Sequence, residues 1–276
     1  ALLHHLSGSL SPHLGVAEVD ARLADIEGRR PLYPTWLLTI AVALACASIT
    51  VLNNGGWREV AAAMPASALA LLLHRLMGRH QVIASVVIST VVASSLYLLF
   101  YWVAQGGHTG VAPRLTAGFV ASVIFLVPGF PLVTGGLDVV RLDLEAGVAR
   151  LAYAALVMLA MGIGIWGVAS LAGVSPDAVP PLGVAVGWLW ALRAGASFLA
   201  VLGWALMFNA PRGVAVASAV IAVAGNALRL GLLDAGWAPH VATFFGALLI
   251  GLACHVVGWV SRLPVLIMTV PTLLVM

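Results

Sequence analysis

Lysine is absent from this 276-residue chain, and charge of either sign is scarce. There are 13 basic residues, all Arg, and 10 acidic ones, together 8% of the sequence. A soluble domain carries about 25% charged residues, so this chain cannot clothe a water-facing surface. That excludes a soluble enzyme, a disordered chain and a nucleic-acid binder. Without Lys there is no Walker A phosphate loop, which excludes ATP-driven pumping by this chain alone. No HExxH, GxSxG or CxxC pattern occurs, which removes the common zinc, serine-nucleophile and redox designs that such motifs announce. Cysteine is limited to Cys46 and Cys254, each inside an apolar run. Two isolated thiols make neither a disulfide framework nor a metal signature, and both read as small core hydrophobes. Nothing resembles a cleavable signal. No metal and no cofactor is expected.

What is present in quantity is apolar sequence: 62% hydrophobic residues and a mean hydropathy of +1.08. The fold class is therefore all-α, a polytopic membrane protein in a lipid bilayer. Runs of about 20 apolar residues place spans near 35–52, 60–78, 82–104, 115–133, 148–172, 184–207, 213–233, 238–259 and 263–276, the ninth cut short. Trp36, Trp57, Trp102, Trp237 and Trp259 fall at span ends, where an amphipathic ring prefers the headgroup layer. With the N-terminus inside, the inner loops hold Arg22, Arg29, Arg30, Arg75, Arg79, Arg141, Arg150, Arg212 and Arg262. The outer loops hold only Arg58, Arg114 and Arg229. This asymmetry predicts a cytoplasmic N-terminus.

Three regions follow. Residues 1–31 are the polar leader, with Ser11-Pro12 as a helix start and Val19, Leu23 and Ile26 at helical spacing among acids and Arg. Residues 32–178 form a first half of five spans, and 179–276 a second half that stops early. A weak repeat relates the halves. Asn54 and Arg58 after span one match Asn209 and Arg212 after span six. Gln81–Ser85 matches Pro239–Thr243, and Val127-Pro128 matches Val270-Pro271. The offset is five spans. An odd offset turns one half upside down relative to the other, the inverted repeat that transporters use. It also predicts a tenth span after Met276.

The segment Pro128-Gly129-Phe130-Pro131, leading to Thr134, cannot continue a helix, because Pro removes a donor and clashes with the preceding turn. Inside a membrane the freed groups must meet protein, water or cargo. A broken helix beside a substrate site is one reading, and a Pro-terminated span end is the other. The next stretch, 136–150, reads as a single helix. At about 100° per residue, Leu137, Val140, Leu144, Val148 and Leu151 form one apolar stripe, and Asp138, Arg141 and Glu145 share a second line. Asp143 and Arg150 lie on a third. Asp138, Arg141, Asp143 and Glu145 are thus candidates for a gate or proton relay, against a cytoplasmic helix with solvated ion pairs. Within the spans, Arg193 near a midplane needs a cavity or a partner, unless the helix breaks near Ala191 and lets it snorkel. Asn226 and Arg229 share a face with Ser218, Ala222 and Gly225, suited to helix packing or to a substrate path. His255 is a titratable group in an apolar span.

The run Glu18–Glu27 ahead of Tyr33-Pro34, the run Val127–Leu151, and Phe208-Asn209-Ala210-Pro211-Arg212 together resemble the bacterial threonine/serine exporter family. The resemblance covers nearly the whole chain, and the central run is the specific part. It implies ten spans in two halves behind a soluble N-terminal segment. It also implies proton-driven antiport of small hydroxy amino acids across the bacterial inner membrane, with dicarboxylate export in two-subunit relatives. Much of that N-terminal segment and the tenth span would be missing here. The expected partners are an amino-acid substrate, protons and lipid, with a homo-oligomer open. The rival readings are a dicarboxylate exporter, with Arg141, Arg193 and Arg229 as carboxylate clamps, and a membrane scaffold without transport.

Overall fold

The computed structural model describes residues 18–21, 24–25, 31–77, 81–107, 117–174, 182–263 and 265–276. Most of the polar leader lies outside them, and within it residues 18–21 and 24–25 are helical. Ten helices follow: α1 Thr35–Leu52, α2 Trp57–Leu76, α3 Val82–Ala104, α4 Ala117–Ala121, α5 Gly129–Val140, α6 Leu144–Ala172, α7 Val186–Met207, α8 Arg212–Asp234, α9 Pro239–Ser261 and α10 Val265–Leu273. A short 3₁₀ turn, Ile124–Leu126, extends α4. The described residues contain no strand.

Among the described residues seven helices are long and apolar enough to cross a membrane: α1, α2, α3, α6, α7, α8 and α9. An eighth span exists if α4 with its 3₁₀ turn and α5 count together, and these two arms meet at 69°. At nine residues α10 is too short to cross by itself. The molecule is a multi-pass membrane protein, and its surface exposes many large apolar side chains, among them Trp36, Trp57, Trp188 and Trp259.

The central seam joins α1 to α7. Small residues make it: Ala41, Ala45 and Ser48 face Ala196, Ala200 and Gly203, all but Gly203 buried side chains. A Cβ on Gly203 would collide with the Ala41 carbonyl and sit 2.9 Å from the Ala45 Cβ, so only Gly permits this approach. The two helices are antiparallel. At the N-terminal end of α1, Tyr33 Oη donates to the Ala210 carbonyl at 2.8 Å, and the Leu32 amide donates to Asn209 Oδ1 at 2.8 Å.

The two helix ends that the repeat pairs have one geometry. Asn54 and Asn209 both take left-handed φ, 62° and 58°, which Asn tolerates. After each, the next amide reaches back five residues, Gly55 to Thr50 at 2.8 Å and Ala210 to Ala205 at 2.9 Å. This is the Schellman closure.

One expectation is corrected. Residues 136–150 are not a single helix. Leu142 has φ 64°, α5 ends at Val140, and α6 starts afresh behind Asp143, whose carboxylate accepts from the Ala146 amide at 3.4 Å. An N-cap Asp has no place mid-helix. The fold here is a hairpin in which Gly135 and Gly147 face each other. A Cβ on Gly147 would lie 3.1 Å from the Gly135 carbonyl oxygen, and one on Gly135 3.2 Å from that of Gly147.

Candidate substrate site at the interrupted span

The interruption sits at Pro128. Its φ of −79° and ψ of 66° make an inverse γ-turn, closed by the Gly129 amide donating to the Val127 carbonyl at 2.9 Å. Pro131 adds no donor, so the next bond is Leu132 to Pro128 at 3.1 Å. Thr134 turns its hydroxyl back onto the Phe130 carbonyl at 2.7 Å, a bond that tends to bend a helix. Phe130 is pinned edge-on to Phe208 at 4.9 Å, and Phe208 in turn stacks on Trp204 at 6.4 Å. The indole N–H of Trp204 is buried without a partner.

The end of α10 comes to the same place. A Cβ on Gly129 would lie 2.7 Å from Leu274 Cδ1, so the N-terminal end of α5 abuts the C-terminal end of α10. The first carries partial positive charge and the second partial negative charge.

A cavity of about 440 Å³ opens on the α4 side of the break. Its walls are Ala117, Val120, Ala121 and Ile124 from the broken span, Ile49 and Asn53 from α1, Arg229 from α8, and Leu274–Met276. Arg229 lies five residues before the end of α8, about 8 Å along the axis. Its guanidinium donates to the Met276 carbonyl at 2.9 Å and weakly, at 3.4 Å, to Asn226 Oδ1. No acid pairs with Arg229 among the described residues. Asn226 is fully buried, and its Nδ2 has no partner. The small stripe of α8 is used in packing, and only Arg229 of this helix reaches the wall. Ser218, Ala222 and Gly225 are buried against neighbours, and a Cβ on Gly225 would lie 2.6 Å from Ile250 Cδ1.

The remaining sequence-chosen residues lie elsewhere. Arg193 is not a solitary midplane charge. It sits in the second turn of an unbroken α7, 5.1 Å over the Trp190 ring, and forms a two-bond ion pair with Asp234, the last residue of α8. One of those bonds, from Nη2 to Oδ1, measures 3.0 Å. Asp138 of α5 pairs with Arg150 of α6 across the hairpin. Arg141, Asp143 and Glu145 are exposed at the turn, and His255 is exposed on α9. Of the sequence-chosen residues, the structure puts Arg229 in the cavity wall, with Asn226 buried behind it and Gly129 against Leu274, which is itself a wall residue. It sets the charged turn and His255 apart from that cavity. Sequence reasoning missed Asp234 and also Glu59, whose carboxyl lies at the junction of α1, α2 and α4.

Comparison with known proteins agrees with this architecture. The family model ThrE matches residues 1–172, and a second model, described as Threonine/Serine exporter, ThrE, matches residues 193–276. The chain is 33% identical over 154 residues to a protein of Klebsiella aerogenes named "Probable succinate transporter subunit YjjP", covering 55% of this chain and 57% of that one. The protein of the same name in Escherichia coli strain K12 is 31% identical over 164 residues, covering 59% of each. Pheromone-regulated membrane protein 10 of Saccharomyces cerevisiae is 27% identical over 157 residues, 55% of this chain and 39% of that one. The chain thus spans under 60% of the length of either bacterial relative. No solved structure matches it. With its all-helical membrane fold and a family match over more than half its length, the chain belongs to the threonine/serine exporter family.

Proposed function

We propose that this chain forms the substrate pathway of a secondary exporter of small hydroxy amino acids, L-threonine and L-serine, driven by proton entry across a bacterial inner membrane. The observation that carries the reading is the cavity beside the interrupted span, with an Arg in its wall that pairs with no Asp or Glu among the described residues. At about 440 Å³ it falls within the size range of small-molecule sites. Arg229 meets the substrate carboxylate in a planar fork. The C-terminal end of α10 offers negative potential to the ammonium group, and Asn226, behind Arg229, keeps an unpartnered Nδ2 that a shift of the Arg229 side chain would uncover for the hydroxyl. Residues 32–178 and 179–276 are then the two inverted halves, with the N-terminal end of α1 on the cytoplasmic side. Among the acids of the hairpin, Asp138 is the one partly withdrawn from solvent, which makes it the hairpin's candidate for proton coupling.

The test is efflux of labelled threonine from proteoliposomes with and without an imposed proton gradient. Gradient-accelerated efflux that falls in Arg229→Gln supports the reading, and efflux blind to both contradicts it. A second reading, dicarboxylate export, draws support from Arg229 and from the names of the bacterial relatives. Succinate displacing threonine in the same vesicles favours it. The geometry weakens the three-Arg clamp, since Arg193 is engaged by Asp234 and Arg141 lies outside the cavity.

A further inference from the structure

Glu59 is the third residue of α2, behind the N-cap Gly56. A Glu at this position reaches back to the N-cap amide, half of a capping box. The amides of Gly56 and of Gly118, in α4, both face its carboxyl. One of its oxygens, Oε2, is sealed from solvent and has no hydrogen-bond partner among the described residues. It lies 2.8 Å from the point where a Cβ on Gly55 would stand, and the Thr50 carbonyl oxygen lies 2.8 Å from that same point. An orphaned carboxylate oxygen inside a membrane protein is costly, and capping does not explain it. A bound proton does, because a carboxylic acid carries no charge and has an O–H to donate, and the Thr50 carbonyl borders the same Gly55 position.

Among the described residues the surroundings hold little other charge. From α1 comes Thr50 and from the turn behind it Asn53 and Asn54; α3 contributes Tyr97, and α4 has no titratable residue. The neighbouring Arg58 of α2 is exposed. Asn53, and Ala117 beside Gly118 in the chain, line the cavity. We propose that Glu59 is a proton-carrying residue of the exporter, binding and releasing the coupled proton at the root of α4. This rests on the proton-coupled reading above and names the group that would serve it. Protonation forms an O–H bond on Oε2 and removes the negative charge. The charge-assisted bonds from the Gly56 and Gly118 amides then weaken. Gly118 belongs to the half-helix that leads into Pro128, so the proton loosens the tie that holds α4 to α2. Release of the proton restores it.

Glu59→Gln separates this role from capping, because Gln fills the same place in a capping box but cannot titrate. The full chain in proteoliposomes is given a gradient of about one pH unit, about tenfold in proton activity. Wild-type threonine efflux rises severalfold, whereas E59Q responds less than about twofold and keeps threonine–threonine exchange, which needs no net proton movement. Glu59→Asp regains part of the gradient response. E59Q that responds like wild type overturns the proposal while leaving the exporter reading intact. Wild-type transport that ignores the gradient overturns both. A measurement on unmutated protein guards against misfolding of the variant: dicyclohexylcarbodiimide, which attacks protonated carboxyls in apolar settings, is mapped by mass spectrometry across pH. Labelling of Glu59 that rises as pH falls supports the proposal. Labelling that is absent or independent of pH overturns it.

Discussion

The α1–α7 seam and the interrupted span are both built from residues that helices ordinarily avoid or spare, and they use them to opposite ends. At the seam, Gly203 and a run of Ala remove bulk so that two unbroken helices touch at Ala41 and Ala45, and only towards Ser48 and Ala196 do they part around an apolar cavity of about 360 Å³. At the break, Pro128 and Pro131 remove donors, and what results is a γ-turn, two abutting helix ends and a cavity with a cation in its wall. Small residues let helices approach, whereas proline interrupts one. The first region is expected to govern folding and the second to govern transport.

The strongest way to break this contrast is at the seam. Gly203→Leu should cost about 5 kcal/mol or more, because the added side chain meets the Ala41 backbone rather than a mobile group. Loss of folded protein on size exclusion checks it. Gly162→Leu, where nothing lies within 4 Å, is the matched control and should leave yield unchanged. Next comes Arg229→Gln, expected to lower threonine efflux by at least about tenfold with little change in melting temperature, while Arg229→Lys, keeping charge but not the planar fork, falls between.

Two ion pairs then sharpen the comparison. Asp234→Asn strands the buried Arg193. Since Asp234 is half exposed, the cost is about 1–2 kcal/mol, read from thermal melting, and Arg193→Met in the same protein should recover most of it. Asp138→Asn, across the solvent-lapped hairpin, should cost less than about 1 kcal/mol. If these two costs are reversed, the ranking of the two charged regions is wrong.

The sequence was informative wherever hydrophobicity alone decides. The ends of α1 and α3 coincide with the apolar runs 35–52 and 82–104, and Pro128 marks the interruption. It misled at 136–150, because the apolar spacing runs through Leu142 as though the helix did. The contrary signals were Asp143 as an N-cap and the facing pair Gly135 and Gly147, which a periodicity count does not weigh. Asp234 was missed because its partner Arg193 is 41 residues away. Glu59 was missed because an acid in the first turn of a span reads as an ordinary interfacial residue. What made each of them notable was a neighbour from another helix, and such contacts exist only once the chain has folded.

The account turns on whether cargo reaches the interrupted backbone. Ile124→Cys, in a protein whose buried Cys46 and Cys254 are replaced by Ala, puts a thiol on the cavity wall. Its rate of reaction with a membrane-impermeant thiol reagent, with and without threonine, is the direct measurement. Reaction that threonine slows is the predicted result; a thiol that stays inert because the region is packed solid, or that reacts equally with threonine present, would contradict it.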